Sequence, residues 1–89
     1  MDLLELIPFG RENAISRARL CSLTGLNDRA LREKIAQLRR HHVIINDQSG
    51  RGYYRTDNID EIQAFVRQEE ARLRSIGWSL KAARQKLRT

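Results

Sequence analysis

The last third of the chain constrains the fold most. Counted in heptads from Ile59, the a positions are Ile59, Val66, Leu73, Leu80 and Leu87, and the d positions are Ile62, Glu69, Ile76 and Ala83. All but Glu69 are apolar over four heptads, the pattern of a coiled-coil seam. With Asn58 as its cap, a helix from Ile59 to about Arg88 would be ~45 Å long. That exceeds what the preceding 57 residues can cover. Part of the seam is therefore expected to meet a second copy, making a homodimer through Ile62, Val66, Leu73, Ile76, Leu80 and Leu87. Phe65, beside the seam, is placed to pack on the chain's own first domain. The competing reading packs the whole helix there.

Charge along this helix is segregated. Residues 58–71 hold Asp60, Glu61, Glu69 and Glu70 against Arg67, net −3. Residues 72–89 hold Arg72, Arg74, Lys81, Arg84, Lys86 and Arg88 with no acid, net +6. The layout complements the helix dipole and favours an antiparallel pair, acid against base. One segment interrupts it: Gly77 costs ~1 kcal/mol inside a helix, and Ser79 could cap a new one. A break at Gly77, giving a helical hairpin, is the alternative.

The first 57 residues read as one compact domain ahead of the helix at 58–89. Asp2 with Glu5 suggests a capping box before Leu3, Leu6 and Ile7, and Pro8-Phe9-Gly10 ends that short helix. Asn13-Ala14-Ile15 reads as an extended link. Ser16 is a good N-cap for a helix over 17–24 that carries Leu20 and Leu23 on one face, and Gly25 stops it. Leu26 is an apolar plug. Asn27 caps a third helix whose buried stripe is Leu31, Ile35 and Leu38. Val43-Ile44-Ile45 suits a strand, residues 46–52 a loop, and Tyr53-Tyr54-Arg55-Thr56 the return strand of a hairpin. Tyr53 and Tyr54 are expected on opposite faces, one packed beneath the hairpin and one exposed. The class predicted is mainly α with a small β-hairpin.

Helix, short strand, helix, Gly-containing turn, helix and hairpin, in that order, resemble the winged helix-turn-helix family of the biotin operon repressor type. The matching residues are Leu20, Leu23, Gly25-Leu26-Asn27, Leu31, Ile35, Leu38-Arg39 and the wing Gly50-Arg51-Gly52-Tyr53, within residues 3–56. The whole chain, wing and long tail included, is also similar to small winged-helix proteins of bacteriophages and prophages. Cys21 departs from the small alanine-like residue common there, and a buried free cysteine serves as a small hydrophobe. The resemblance implies that residues 28–41 form a recognition helix lying in a DNA major groove.

Helical geometry puts Arg29, Arg32, Glu33, Ala36, Gln37 and Arg40 opposite the Leu31/Ile35/Leu38 stripe, at ~100° per residue. Arg reads guanine O6/N7, Gln reads adenine N6/N7, and Ala permits close approach or meets a thymine methyl. Base contacts are therefore expected from Arg29, Arg32, Glu33, Ala36 and Gln37. Backbone contacts are expected from Arg17, Arg19, Asn27 and Arg40, and wing contacts from Arg51 and Tyr54. The plain alternative for this face is solvation. Residues 9–42 hold eight basic and three acidic side chains, net +5 of the chain's +6. The basic residues overall are 14 Arg and 3 Lys, a bias toward the planar fork that pairs with phosphate and guanine.

Other chemistry is excluded on residue patterns. The longest strongly apolar interior run is Val43-Ile44-Ile45, far short of the ~20 residues of a membrane helix. The start lacks the layout of a secretory signal, and a single cysteine suits a reducing cytosol. His41 and His42 point ~100° apart on a helix and cannot share a metal with distant Cys21. They are better placed to end the recognition helix. Gly50-x-Gly52 is not a phosphate loop. The expectation is therefore a cytoplasmic DNA-binding protein without enzymatic activity, metal, cofactor or evident small-molecule ligand. A protein-interaction module built on the same fold is the competing class.

Overall fold

The computed structural model describes residues 2–47 and 49–88. Its elements are α1 (Leu3–Leu6), a single 3-10 turn (Arg11–Asn13), α2 (Arg17–Thr24), α3 (Asp28–Leu38), β1 (Ile44–Asp47), β2 (Gly52–Arg55) and α4 (Ile59–Arg88). The chain divides into two compact units, one up to Asp57 and one from Asn58.

Local side-chain chemistry explains the α2–turn–α3 segment. Ser16 Oγ accepts from the Arg19 N–H at 3.1 Å, closing one of the orphan donors at the start of α2. Gly25 ends the helix in the left-handed region, its N–H bonded to the Cys21 carbonyl at 2.9 Å. Thr24 holds the turn from both sides: its hydroxyl donates to the Leu20 carbonyl at 2.7 Å and accepts from the Leu26 N–H at 3.2 Å. Asn27 Oδ1 then caps α3 by accepting from the Ala30 N–H at 2.8 Å. At α1 the expected capping box does not form, and Asp2 makes no side-chain cap bond. The Glu5 N–H bonds instead to the Asp2 backbone carbonyl at 3.1 Å.

The core of the first unit joins Leu3, Ile7, Leu20, Leu31, Ile35, Ile44 and Tyr53, with Leu4, Leu6, Ile15, Cys21, Leu26 and Leu38 packed around it. Its five most fully buried side chains, Ile7, Leu20, Leu31, Ile35 and Ile44, each contribute about 1.5–3 kcal/mol of transfer energy. Leu23 does not share the Leu20 stripe and is half exposed. The covered side of α2 runs through Leu20, Cys21 and Thr24 instead, an i, i+1, i+4 pattern.

The hairpin is shifted from its expected limits. Its register is Ile44↔Arg55, Ile45↔Tyr54, Asn46↔Tyr53 and Asp47↔Gly52. Asn46, Asp47 and Gly52 are therefore ladder residues rather than loop, Val43 lies outside the strand, and Gln48 falls outside the described residues. Two non-local contacts set this register. Asp47 is buried, with its carboxylate bonded to Arg11 Nη2 at 3.1 Å and to the Ser49 hydroxyl at 2.8 Å. Beside it, Tyr53 exchanges backbone hydrogen bonds with Ile15 at 2.8 and 2.9 Å, a one-rung third strand on the far edge of β2. Gly52 makes that approach possible: at φ +114° a Cβ there would overlap the Ile15 carbonyl and lie 2.8 Å from Ser16 Cα. Asn13 belongs to the 3-10 turn rather than to an extended link.

Further along the same edge, the Gly10 N–H donates to the Arg55 carbonyl at 2.9 Å, and the Arg55 N–H to the Pro8 carbonyl at 2.7 Å. The Arg55 side chain donates to the Ile7 carbonyl at 2.8 Å and stacks its guanidinium 4.4 Å from the Phe9 ring centre. The first unit is thereby laced from its N-terminal segment to its last strand.

In the second unit, α4 runs unbroken for 30 residues. Asn58 Oδ1 accepts from the Glu61 N–H at 3.2 Å, capping its start. Gly77 lies within the helix, and the Ser79 hydroxyl bonds back to the Ser75 carbonyl at 2.9 Å instead of capping a new helix. This helix, though long, is not apolar enough to cross a membrane, and no other described helix is either.

Candidate nucleic-acid interface

α3 turns Leu31 and Ile35 into the core and leaves Arg29, Arg32, Glu33, Lys34, Ala36 and Gln37 exposed. The helix stops at Leu38, three residues before the expected end at 41. Arg39 accounts for the stop: its Nε donates to the Ile44 carbonyl at 3.0 Å, which requires the chain to reverse. The His41 and His42 N–H groups both bond to the Leu38 carbonyl, at 3.1 and 2.9 Å, in the closing turn. Arg40 is therefore exposed on that turn rather than on the helix.

The exposed cations are not independent of one another. Asp28, in the first turn of α3, pairs with Arg17 at the start of α2 and with Arg32 one turn further along α3, the latter at 3.0 Å. One carboxylate thus ties together the N-terminal ends of two helices and holds two guanidinium groups beside it, leaving a local excess of one positive charge. Arg29 pairs with Glu33 at 3.4 Å, so two of the expected base-contacting side chains partly neutralise each other. All of these groups are largely solvated, and exposed pairs contribute only ~0.2–1 kcal/mol. A stronger anion can displace them. Arg19 and Arg40 make no ion pair among the described residues.

Asn27 caps α3 as its residue type predicts, its side-chain oxygen being committed to the Ala30 N–H. Tyr54 is a correction. It is buried at 4% exposure, as is its cross-strand partner Ile45 at 7%, while Tyr53 enters the core. Both faces of the hairpin are covered, so alternation along the strand does not separate a buried tyrosine from an exposed one. Arg51 is exposed in the turn between the strands.

An open groove of about 390 Å³ lies between the start of α2 and the hairpin, lined by Ser16, Arg17, Asn46, Asp47, Gly50, Gly52 and Tyr53. Its acid is strongly held: the hydrogen bond from Arg11, then that from Ser49, lowers the Asp47 carboxyl to about 2. Asp47 therefore stays ionised while its charge is met by Arg11. Sequence reasoning missed both carboxylate anchors, Asp28 and Asp47. Only Asp28 carried a signal, an Asp four residues before Arg32 on one helix face. Among the described residues, no group of three or more His, Cys, Asp or Glu side chains is placed to hold a metal ion.

Comparison with protein-family models, with curated proteins and with solved structures finds no match to this chain.

Proposed function

We propose that the protein binds double-stranded DNA sequence-specifically through a winged helix-turn-helix formed by α1 to β2, as a transcriptional regulator or a replication-linked DNA binder. The observation that carries this reading is the exposed surface of α3, which presents Arg29, Arg32, Ala36 and Gln37 while Leu31 and Ile35 are buried. Arg near a helix N-terminus, a small residue at its middle and a Gln further on are groups that read base edges in a major groove. The element order supports the same reading, with Ile15 as the short strand beside the hairpin.

In this reading α3 enters the major groove. Arg17, Arg19 and the first N–H groups of α2 hold a phosphate strand, and Arg51 at the hairpin tip reaches the adjacent minor groove. The ion pairs of Asp28 and Glu33 orient Arg17, Arg32 and Arg29 in the free protein and give way to phosphate and base contacts on binding.

A protein-interaction module on the same scaffold is the second reading. The observation on its side is that Arg17, Arg29 and Arg32 each already meet a carboxylate. A gel shift on labelled genomic duplexes with excess competitor DNA separates the two. The DNA reading predicts a subset of fragments retained against competitor and released by the double variant R29A/R32A. Retention of none, or equal competition of all, favours the interaction module.

A further inference from the structure

The apolar stripe along α4 is a feature that the DNA-binding reading leaves unused. Every described residue from Glu70 to Arg88 is exposed except Gly77. Along that stretch Leu73 is 68% exposed, Ile76 51%, Leu80 42% and Leu87 88%. These four share one helical stripe with Val66 and Ala83. All five a positions from Ile59 to Leu87 are open to solvent, whereas Ile62, Phe65 and Glu69 are half-buried. An exposed apolar stripe of this length marks an interaction surface.

We infer that the occupant is a second copy of this chain, paired antiparallel along α4. Two observations choose both partner and orientation. The first is charge: net −3 over residues 58–71 against net +6 over residues 72–89. A parallel pair sets like halves together, while an antiparallel pair sets each acidic half against a basic one. The second is Glu69, the one charged residue on the seam, held by Arg72 at 3.4 Å. A parallel pair would place two Glu69 carboxylates against each other at a d layer.

An antiparallel pair matches a positions to d positions. Its two-fold axis falls midway between Leu73 and Ile76, so that Leu73 meets the partner's Ile76 and Val66 meets the partner's Ala83. Glu69 then meets the partner's Leu80, with the partner's Lys81 next to it. No like charges face each other across any layer.

Trp78 separates this occupant from a lipid surface. It is 74% exposed and lies about 140–160° around the helix from Leu73 and Leu80, at ~100° per residue. A helix lying in a membrane interface keeps its Trp on the apolar side; here it faces water and stays there in the dimer. Folding back is not an option either, since α4 is continuous through Gly77.

The test is independent of DNA. Sedimentation equilibrium of the wild type at tens of micromolar should return twice the 10.4 kDa chain mass, and L73D/I76D should return the single-chain mass. For orientation, single-cysteine chains V66C and A83C, each carrying C21A, are mixed and oxidised. The mixture should crosslink at least tenfold more than either chain alone. A wild-type monomer at 100 micromolar, or V66C crosslinking to itself as well as to A83C, would overturn the inference. A monomer that co-sediments with anionic vesicles, and no longer does so as L73D/I76D, would assign the stripe to a membrane surface instead.

Discussion

Gly52 makes the crossing of β2 with Ile15 testable by adding a single carbon. Alanine there must hold φ near +114° while its Cβ overlaps the Ile15 carbonyl. The backbone conformation alone costs ~1–3 kcal/mol for a residue with a side chain. Relieving the overlap breaks the Ile15–Tyr53 rung, whose hydrogen bonds at 2.8 and 2.9 Å are worth ~0.5–1.5 kcal/mol each. The sum, ~2–6 kcal/mol, compares with a total of ~3–9 kcal/mol for a unit of this size at ~0.05–0.15 kcal/mol per residue.

Gly50 is the control. Its φ is +89° but nothing lies within 4 Å of a Cβ there, so G50A should cost only ~1–2 kcal/mol. G77A, in open helix, should stabilise α4 by ~1 kcal/mol. Urea unfolding followed by tyrosine near-UV circular dichroism reports the first unit. Amide exchange at Ile15 and Tyr53 reports the rung itself. If G52A costs no more than G50A, and both amides stay protected, the close crossing does not exist and the register argument fails.

Asp28→Asn removes the carboxylate shared by Arg17 and Arg32 while leaving the Asn27 cap in place. DNA affinity at low salt should rise by about three- to tenfold, on the scale of two exposed ion pairs, as read by fluorescence anisotropy. Arg32→Ala should cost ~1–3 kcal/mol and relax one position of a selected consensus, whereas Arg17→Ala should weaken all sequences alike. If both leave the consensus unchanged, the division between base and backbone contacts is wrong. The lowered carboxyl of Asp47, about 2 against an ordinary 3.8, gives a signed pH dependence. Its contribution is complete above the unfolded value and is lost as pH falls through the folded one. Thermal melts should therefore show Asp47→Asn destabilised at about pH 5 and converging with wild type near pH 2.

What was legible in the sequence follows from how locally each feature is determined. Ser16, Gly25 and Asn27 act within four residues of themselves, so the limits of α2, the turn and the start of α3 follow from residue type alone. The limits of the hairpin do not. Asp47 is drawn into the ladder by Arg11, 36 positions away, and Gly52 by the backbone of Ile15. A stretch of Asn, Asp, Ser and Gly reads as loop until those partners are known. Tyr54 was misassigned because period-2 alternation presumes one open face. The C-terminus of α3 was misplaced because the Arg39 side chain turns back to the Ile44 carbonyl, a contact that helical periodicity cannot register. On the candidate site, the outward residues of α3 were legible from the Leu31/Ile35 stripe. Their pairing with one another was not, since a helical wheel gives direction but not which neighbour a guanidinium chooses.

The salt dependence of duplex binding tests the central claim most directly. Arg17, Arg19, Arg29, Arg32, Lys34, Arg40 and Arg51 are exposed on the first unit. If six to eight basic groups per protomer neutralise phosphates, log affinity should fall against log salt with a slope of about −5 to −7. A slope shallower than about −2 would mean that no more than two phosphates are engaged. That result would contradict DNA binding and leave the basic face of α3 to a protein partner.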